Sequence, residues 1–167
     1  MKNARLAAVG SLVAFLLSSG LAQKAARHLL SNDELKSVVP AEFFFRGQKA
    51  PTQLRNSTGF QTAEGKITFG ALVDVSGYST AVQQKYQGMI VTESKLNIGG
   101  LELAPGEYGF GFAADKFVVM NVAGEDTLSA PYQTDVDLKR PVPLKMVEDG
   151  AGYKLYAGRK FVGVKPE

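Results

Sequence analysis

The stretch from Leu101 to Val122, LELAPGEYGFGFAADKFVVMNV, constrains the rest of the chain. Strict alternation puts Tyr108, Phe110 and Phe112 on one face of an extended backbone, and Gly109 and Gly111 on the other. Pro105-Gly106 has tight-turn chemistry, because proline pre-sets φ and glycine accepts positive φ. Ala113 to Lys116, with Asp115 inside it, is a short break before a second apolar run, Phe117 to Met120. The segment reads as a β-hairpin with a concentrated aromatic load. Alternate glycines leave one face without side chains, which happens where another backbone, an aromatic ring or a ligand comes close. They also supply the bends that a barrel wall needs.

The same period of two recurs along the chain. In Lys66 to Val75, Ile67, Phe69, Ala71, Val73 and Val75 share a face. Lys66, Thr68, Gly70, Leu72 and Asp74 share the other, which predicts one buried face and one largely wet one. Glu42 to Arg46 (EFFFR) reads as a strand with apolar residues on both faces. Gln48 to Gly59 is polar, with Pro51 and Asn56-Ser57-Thr58, and reads as a loop; the formal glycosylation triplet is taken as turn chemistry. Tyr78 to Tyr86 fits either a short helical stripe or a loop leading into a strand. Strands follow at Tyr86–Glu93, Lys95–Ile98 and Thr127–Tyr132, with Pro131 marking an edge or strand end. Leu144–Glu148 is extended, and Tyr153–Tyr156 pairs with Phe161–Val164 beyond the Asp149–Gly152 turn. About nine short strands with turn signals between them predict an all-β domain, an antiparallel barrel or sandwich.

The N-terminus is different. Lys2 and Arg5 precede an apolar run, Leu6 to Leu17, and Ser18-Ser19-Gly20-Leu21-Ala22 offers small residues for cleavage before Gln23. This predicts a signal peptide over residues 1–22 and a secreted or periplasmic protein. The run is short of the roughly 20 apolar residues that cross a bilayer, so no stable membrane span is expected after cleavage. No cysteine follows it for lipid attachment. Residues 23–40 read as a helical segment. Ala25, Ala26, Leu29 and Leu30 recur at helical spacing, Ser31 and Glu34 fit a capping box, and Pro40 ends the run. A leader that orders only on a partner is the alternative. Residues 41–167 form the β-domain, with no internal boundary.

Composition narrows the function. Lys2 and Arg5 are the only charges in the signal peptide, so 19 bases against 16 acids become 17 against 16 in the mature chain. Lys139-Arg140 and Arg159-Lys160 are isolated pairs, so no basic surface for nucleic acid is expected. The chain has no cysteine and one histidine, His28, which stands outside the β-domain. A serine hydrolase of the usual kind needs an imidazole held between hydroxyl and carboxylate. Ser76-Gly77-Tyr78-Ser79 lacks the flanking glycines of a nucleophile elbow. Glu125-Asp126 and Asp135-x-Asp137 are carboxylate pairs without EF-hand spacing; they read as solvated loop charges, with a weak calcium site as the alternative. No cofactor, metal or catalytic set is expected.

Phe44-Phe45-Arg46-Gly47-Gln48, Leu72 to Thr80 (LVDVSGYST), Lys85-Tyr86-Gln87 and Leu103 to Gly109 (LAPGEYG) resemble segments of a family of short exported proteins of acidobacterial type. The family has no assigned activity. The resemblance implies export and a compact β-domain, and lends no catalytic residues.

The expected function is non-enzymatic binding of a small apolar or aromatic ligand, or of a cell-envelope component. The candidate ligand-binding residues are Tyr108, Phe110, Phe112, Tyr78 and Tyr86, set against a purely structural place in the core. The alternative is a structural, self-assembling protein in which Glu42 to Gln48 adds to a neighbour's sheet edge, giving a homo-oligomer. A weaker one is a carboxylate-based glycan hydrolase with two acids facing across a groove.

Overall fold

The computed structural model describes residues 26–167. The expected signal peptide, residues 1–22, and residues 23–25 lie outside that range. Among the described residues the elements in chain order are β1 (His28–Leu29), α1 (Asn32–Val38), β2 (Glu42–Phe45), β3 (Gln48–Gln61), β4 (Ile67–Val73), α2 (Thr80–Gln83) and β5 (Gly88–Thr92). There follow β6 (Leu96–Ile98), β7 (Leu101–Leu103), β8 (Gly106–Ala113), β9 (Lys116–Met120), β10 (Asp126–Pro131) and β11 (Gln133–Thr134). The last are β12 (Val142–Asp149), β13 (Gly152–Gly158) and β14 (Lys160–Pro166).

Two antiparallel sheets face each other. The larger runs β1-β3-β4-β5-β8-β9-β10, with β2 paired to β3 beside this path. The smaller runs β12-β13-β14-β6-β7, with β11 paired to β14. Their edges approach at two corners. At one, the Met146 backbone N–H of β12 donates to the Thr58 hydroxyl of β3 at 2.9 Å. At the other, β7 lies against β10. No ladder joins the sheets at either corner, so the structure is a sandwich and not a closed barrel.

Register explains the core. Leu72, Gly88, Phe110 and Val119 lie side by side across β4, β5, β8 and β9, and Phe112 stands opposite Phe117. This face meets Leu144, Met146, Tyr153, Leu155, Val162 and Val164 of the smaller sheet. Phe60 stacks on Tyr153 with ring centroids 4.1 Å apart. The opposite face of the large sheet, carrying Phe69, Ala71, Met89, Val118 and Met120, is also covered. Leu35 of α1, Phe43 and Phe45 of β2, and Tyr78 and Tyr86 around α2 make that outer layer.

The second covering layer accounts for most departures from the sequence expectations. The face of β4 expected to be wet, Thr68, Gly70 and Leu72, points into the inter-sheet core. Thr68 is fully buried and its hydroxyl bonds that of Thr92 at 2.8 Å, which satisfies both polar groups. Gln48 to Gly59 is strand instead of loop. The first residues of β3 pair with β2 and the later ones with β4, with a register shift between Gln53 and Ser57. Asn56 lies inside that bulge and Ser57-Thr58 resume the pairing; Asn56 bonds Gln53 and Ser57 bonds the Leu54 carbonyl. Leu101–Leu103 is no part of the aromatic hairpin. It pairs with β6 in the smaller sheet, and Ala104-Pro105 carries the chain across to β8 in the larger one.

Helix begins only at Asn32. Ser31 is its N-cap, and the reciprocal bonds with Glu34 expected from the sequence are present. His28–Leu29 pairs with β3 instead of extending the helix backward. Tyr78 to Tyr86 holds α2, a single turn.

Candidate functional site

The five aromatic residues singled out from the sequence fall on two faces of one sheet. Phe110 and Phe112 are buried between the sheets, packed on Phe117 with centroids 5.6 and 4.9 Å away. Tyr108 is half-buried on the same face, and its hydroxyl donates to the Ala104 carbonyl at 3.0 Å. Tyr78 and Tyr86 lie on the opposite face with Phe45. Tyr86 stacks on Phe45 at 3.9 Å, and Tyr78 meets Tyr86 edge-on at 5.4 Å. The sheet itself separates the two groups, so they share no common pocket.

The glycines of the hairpin explain the second group. A Cβ on Gly109 would stand 2.7 Å from the Phe45 ring and 3.1 Å from the Tyr86 ring. A Cβ on Gly111 would stand 2.0 Å from the Lys85 carbonyl oxygen. The bare face of β8 is therefore filled by rings and backbone of the same chain. Tyr78 donates its hydroxyl to the Phe45 carbonyl at 2.9 Å. The Tyr86 hydroxyl has no hydrogen-bond partner among the described residues, and burial raises its pKa well above the ordinary tyrosine value.

The outer layer leaves a groove at its edge, over part of the large sheet. Between β2, the end of α1 and the strands beneath lies a groove of about 380 Å³, lined by Val38, Pro40, Phe43, Phe44, Phe69, Met89 and Val91 with Glu42 and Glu107. Phe44 is 55% exposed beside it. Volume and apolar lining fall in the range that small-molecule sites use. The two carboxylates are its only charged lining residues. Glu42 has Lys49 of β3 at 3.4 Å as a partial counter-charge.

Strand parity fixes how β2 presents itself to that groove. Arg46 and Gly47 both take positive φ, 50° and 79°, in the two-residue turn that joins β2 to β3. The turn makes Phe45 and Gln48 a hydrogen-bonded closing pair, so Phe43 and Ala50 form the next. The Thr52 N–H reaches the Ala41 carbonyl at 2.9 Å, which continues the same parity. Pro51, opposite Glu42, falls where no ladder bond is needed. The N–H and C=O groups of Glu42 and Phe44 consequently point away from β3. On that same edge the Arg46 N–H donates to the Val122 carbonyl at 2.8 Å.

Other polar groups are engaged locally. Asp126 takes the Lys85 ammonium at 2.6 Å, and Glu125 accepts from the Asn121 amide at 2.8 Å. Asp135 caps the backbone N–H groups of Asp137 and Leu138 and accepts the Tyr156 hydroxyl at 3.1 Å. Among the described residues no three histidine, aspartate or glutamate side chains converge to hold a metal ion. His28 lies in β1 and bonds Glu34 at 2.9 Å. A second groove, about 410 Å³, flanks α1 at Asn32, Leu35, Lys36, Leu54, Arg55 and Ser57, and four of these six residues are polar or charged.

Phe69, Met89, Val91 and Glu107 were not singled out from the sequence, and Phe44 was marked only as part of the Glu42 to Gln48 segment expected to add to a neighbour's sheet edge. The available signal was the run of three phenylalanines in EFFFR. A strand that covers one face of a sheet buries alternate residues, so the middle ring has no core to enter. No family model, curated protein or solved structure matches the chain.

Proposed function

We propose that the protein is an exported, non-enzymatic binding domain that takes a small apolar or ring-bearing ligand in the groove beside β2. The observation that carries this reading is the groove itself, where Val38 and Val91 are partly exposed and Phe44 is 55% exposed, over the buried Phe69 and Met89. The apolar surface that Val38, Phe44 and Val91 leave in water gains by covering, at about 25 cal/mol for each Å² removed. The rim carboxylates, Glu42 and Glu107, are exposed, which suits solvation and recognition of charge.

A thermal-shift screen against lipids, pigments and glycans tests it, with the neutral ring probe N-phenyl-1-naphthylamine as reference. A ligand that binds only the folded state raises the melting temperature. Replacing the exposed Phe44 by alanine should leave the fold intact and weaken probe affinity by roughly tenfold. Unchanged affinity in Phe44→Ala, or no binding by any member of the screen, removes the reading.

A further inference from the structure

We infer that the groove beside β2 receives an extended peptide segment as an added strand. This rests on the groove being the binding site. The occupant would place alternate apolar side chains against the partly exposed Val38 and Val91 and a basic side chain near Glu42 and Glu107.

The edge of β2 that no other strand among the described residues pairs with is the first argument. Glu42 and Phe44 turn two N–H donors and two C=O acceptors toward an apolar groove. An unpaired strand edge is a template for another strand, and a purely apolar ligand would cover those groups without pairing them. An extended peptide matches them and fills the groove at once, since its side chains alternate. The second argument is continuity. One step along the same edge, Arg46 already donates to a main-chain carbonyl, that of Val122. The edge is thus built to accept backbone partners, and the stretch at Glu42 and Phe44 continues it. The third is charge. The groove's only charged lining residues are acidic, which favours a segment carrying lysine or arginine over a neutral or acidic one. Both carboxylates are exposed, so this preference is modest and salt-sensitive.

The test uses fluorescence anisotropy with a labelled, terminally blocked heptapeptide of alternating valine and threonine bearing one central lysine. Two further versions carry N-methyl groups on the odd or on the even residues. One set removes N–H groups that face β2, and the other removes groups that face solvent. Exactly one of the two should lose affinity, by roughly tenfold or more, while the other stays within about twofold of the parent. Glu107→Lys should invert the preference between the lysine peptide and its glutamate counterpart. Equal affinity of both N-methylated sets overturns the inference. Binding of N-phenyl-1-naphthylamine without peptide binding overturns it too, and leaves the groove as a small-ligand site. Binding of neither removes the underlying reading. Concentration-dependent dimerisation abolished by Phe44→Arg would assign the edge to a second copy of the chain and overturn the peptide as occupant.

Discussion

Two glycines decide how closely the outer layer approaches the large sheet. At Gly111 a methyl group would stand 2.0 Å from the Lys85 carbonyl oxygen, and backbone cannot step aside as a flexible side chain can. Gly163 is the control: it is an exposed β14 residue with nothing within 4 Å of an added Cβ. Gly111→Ala is expected to cost about 2–3 kcal/mol in urea denaturation, and Gly163→Ala to stay within about 0.5 kcal/mol of the parent. Equal effects would mean that the close approach at Lys85 carries no weight. The need for bare positions at Gly109 and Gly111 was legible, because ring and gap alternate within one strand. What fills the gap was not. Phe45 and Lys85 arrive from distant parts of the chain, and no local period encodes that meeting.

At the level of elements, α1 is the piece most completely written in local chemistry. The Ser31 N–H donates to the Glu34 carboxylate at 2.7 Å while the Ser31 hydroxyl accepts the Glu34 N–H, and both residues sit within one turn. His28 adds a tie from β1 to the same carboxylate at 2.9 Å. Hydrogen bonds from Ser31 and His28 hold the Glu34 carboxyl at about 2, below its ordinary 4.5. The bonds to Glu34 and to the Ala26 carbonyl raise His28 above 6.5. The signs follow by linkage. A depressed carboxyl contributes stability above pH 4.5 and loses it as pH falls toward 2. A raised imidazole contributes fully below pH 6.5 and loses its share as pH rises through the folded value. The tie is therefore strongest near about pH 5. Amide exchange at Leu30 and Leu35, which bond the Gly59 and Ser31 carbonyls, should be slowest there after correction for intrinsic rates. In His28→Gln the weakening on the alkaline side should vanish; if it persists, His28 is not its cause.

The same scale shows where local reading fails. β3 looks like a loop because its polar residues suit turns, yet its backbone is claimed by two partners in succession, β2 and then β4. Strand character there is conferred by pairing, and side-chain preference is overridden. Thr68 and Gly70 looked wet for a related reason: small and polar residues on a central strand resemble solvent-facing ones until a second sheet is known to cover them.

Seen whole, the molecule has a large sheet covered on both faces. The smaller sheet covers one, and α1, β2 and the α2 region cover most of the other. All-β class, antiparallel pairing and a ring-rich interior were legible because they follow from alternation and turn spacing. The groove left between α1, β2 and Val91 was not, because it depends on the β2–β3 hairpin folding back over the sheet. Phe110 and Phe112 fill the inter-sheet core, Tyr108 borders it, and the candidate groove lies on the far face. The most direct test is a backbone amide chemical-shift titration of the protein with N-phenyl-1-naphthylamine. Perturbations clustering at Val38, Phe43, Phe44, Phe69, Val91 and Glu107 are the predicted result. Perturbations centred on Leu96, Leu103, Tyr153 and Val164, between the sheets, would contradict it.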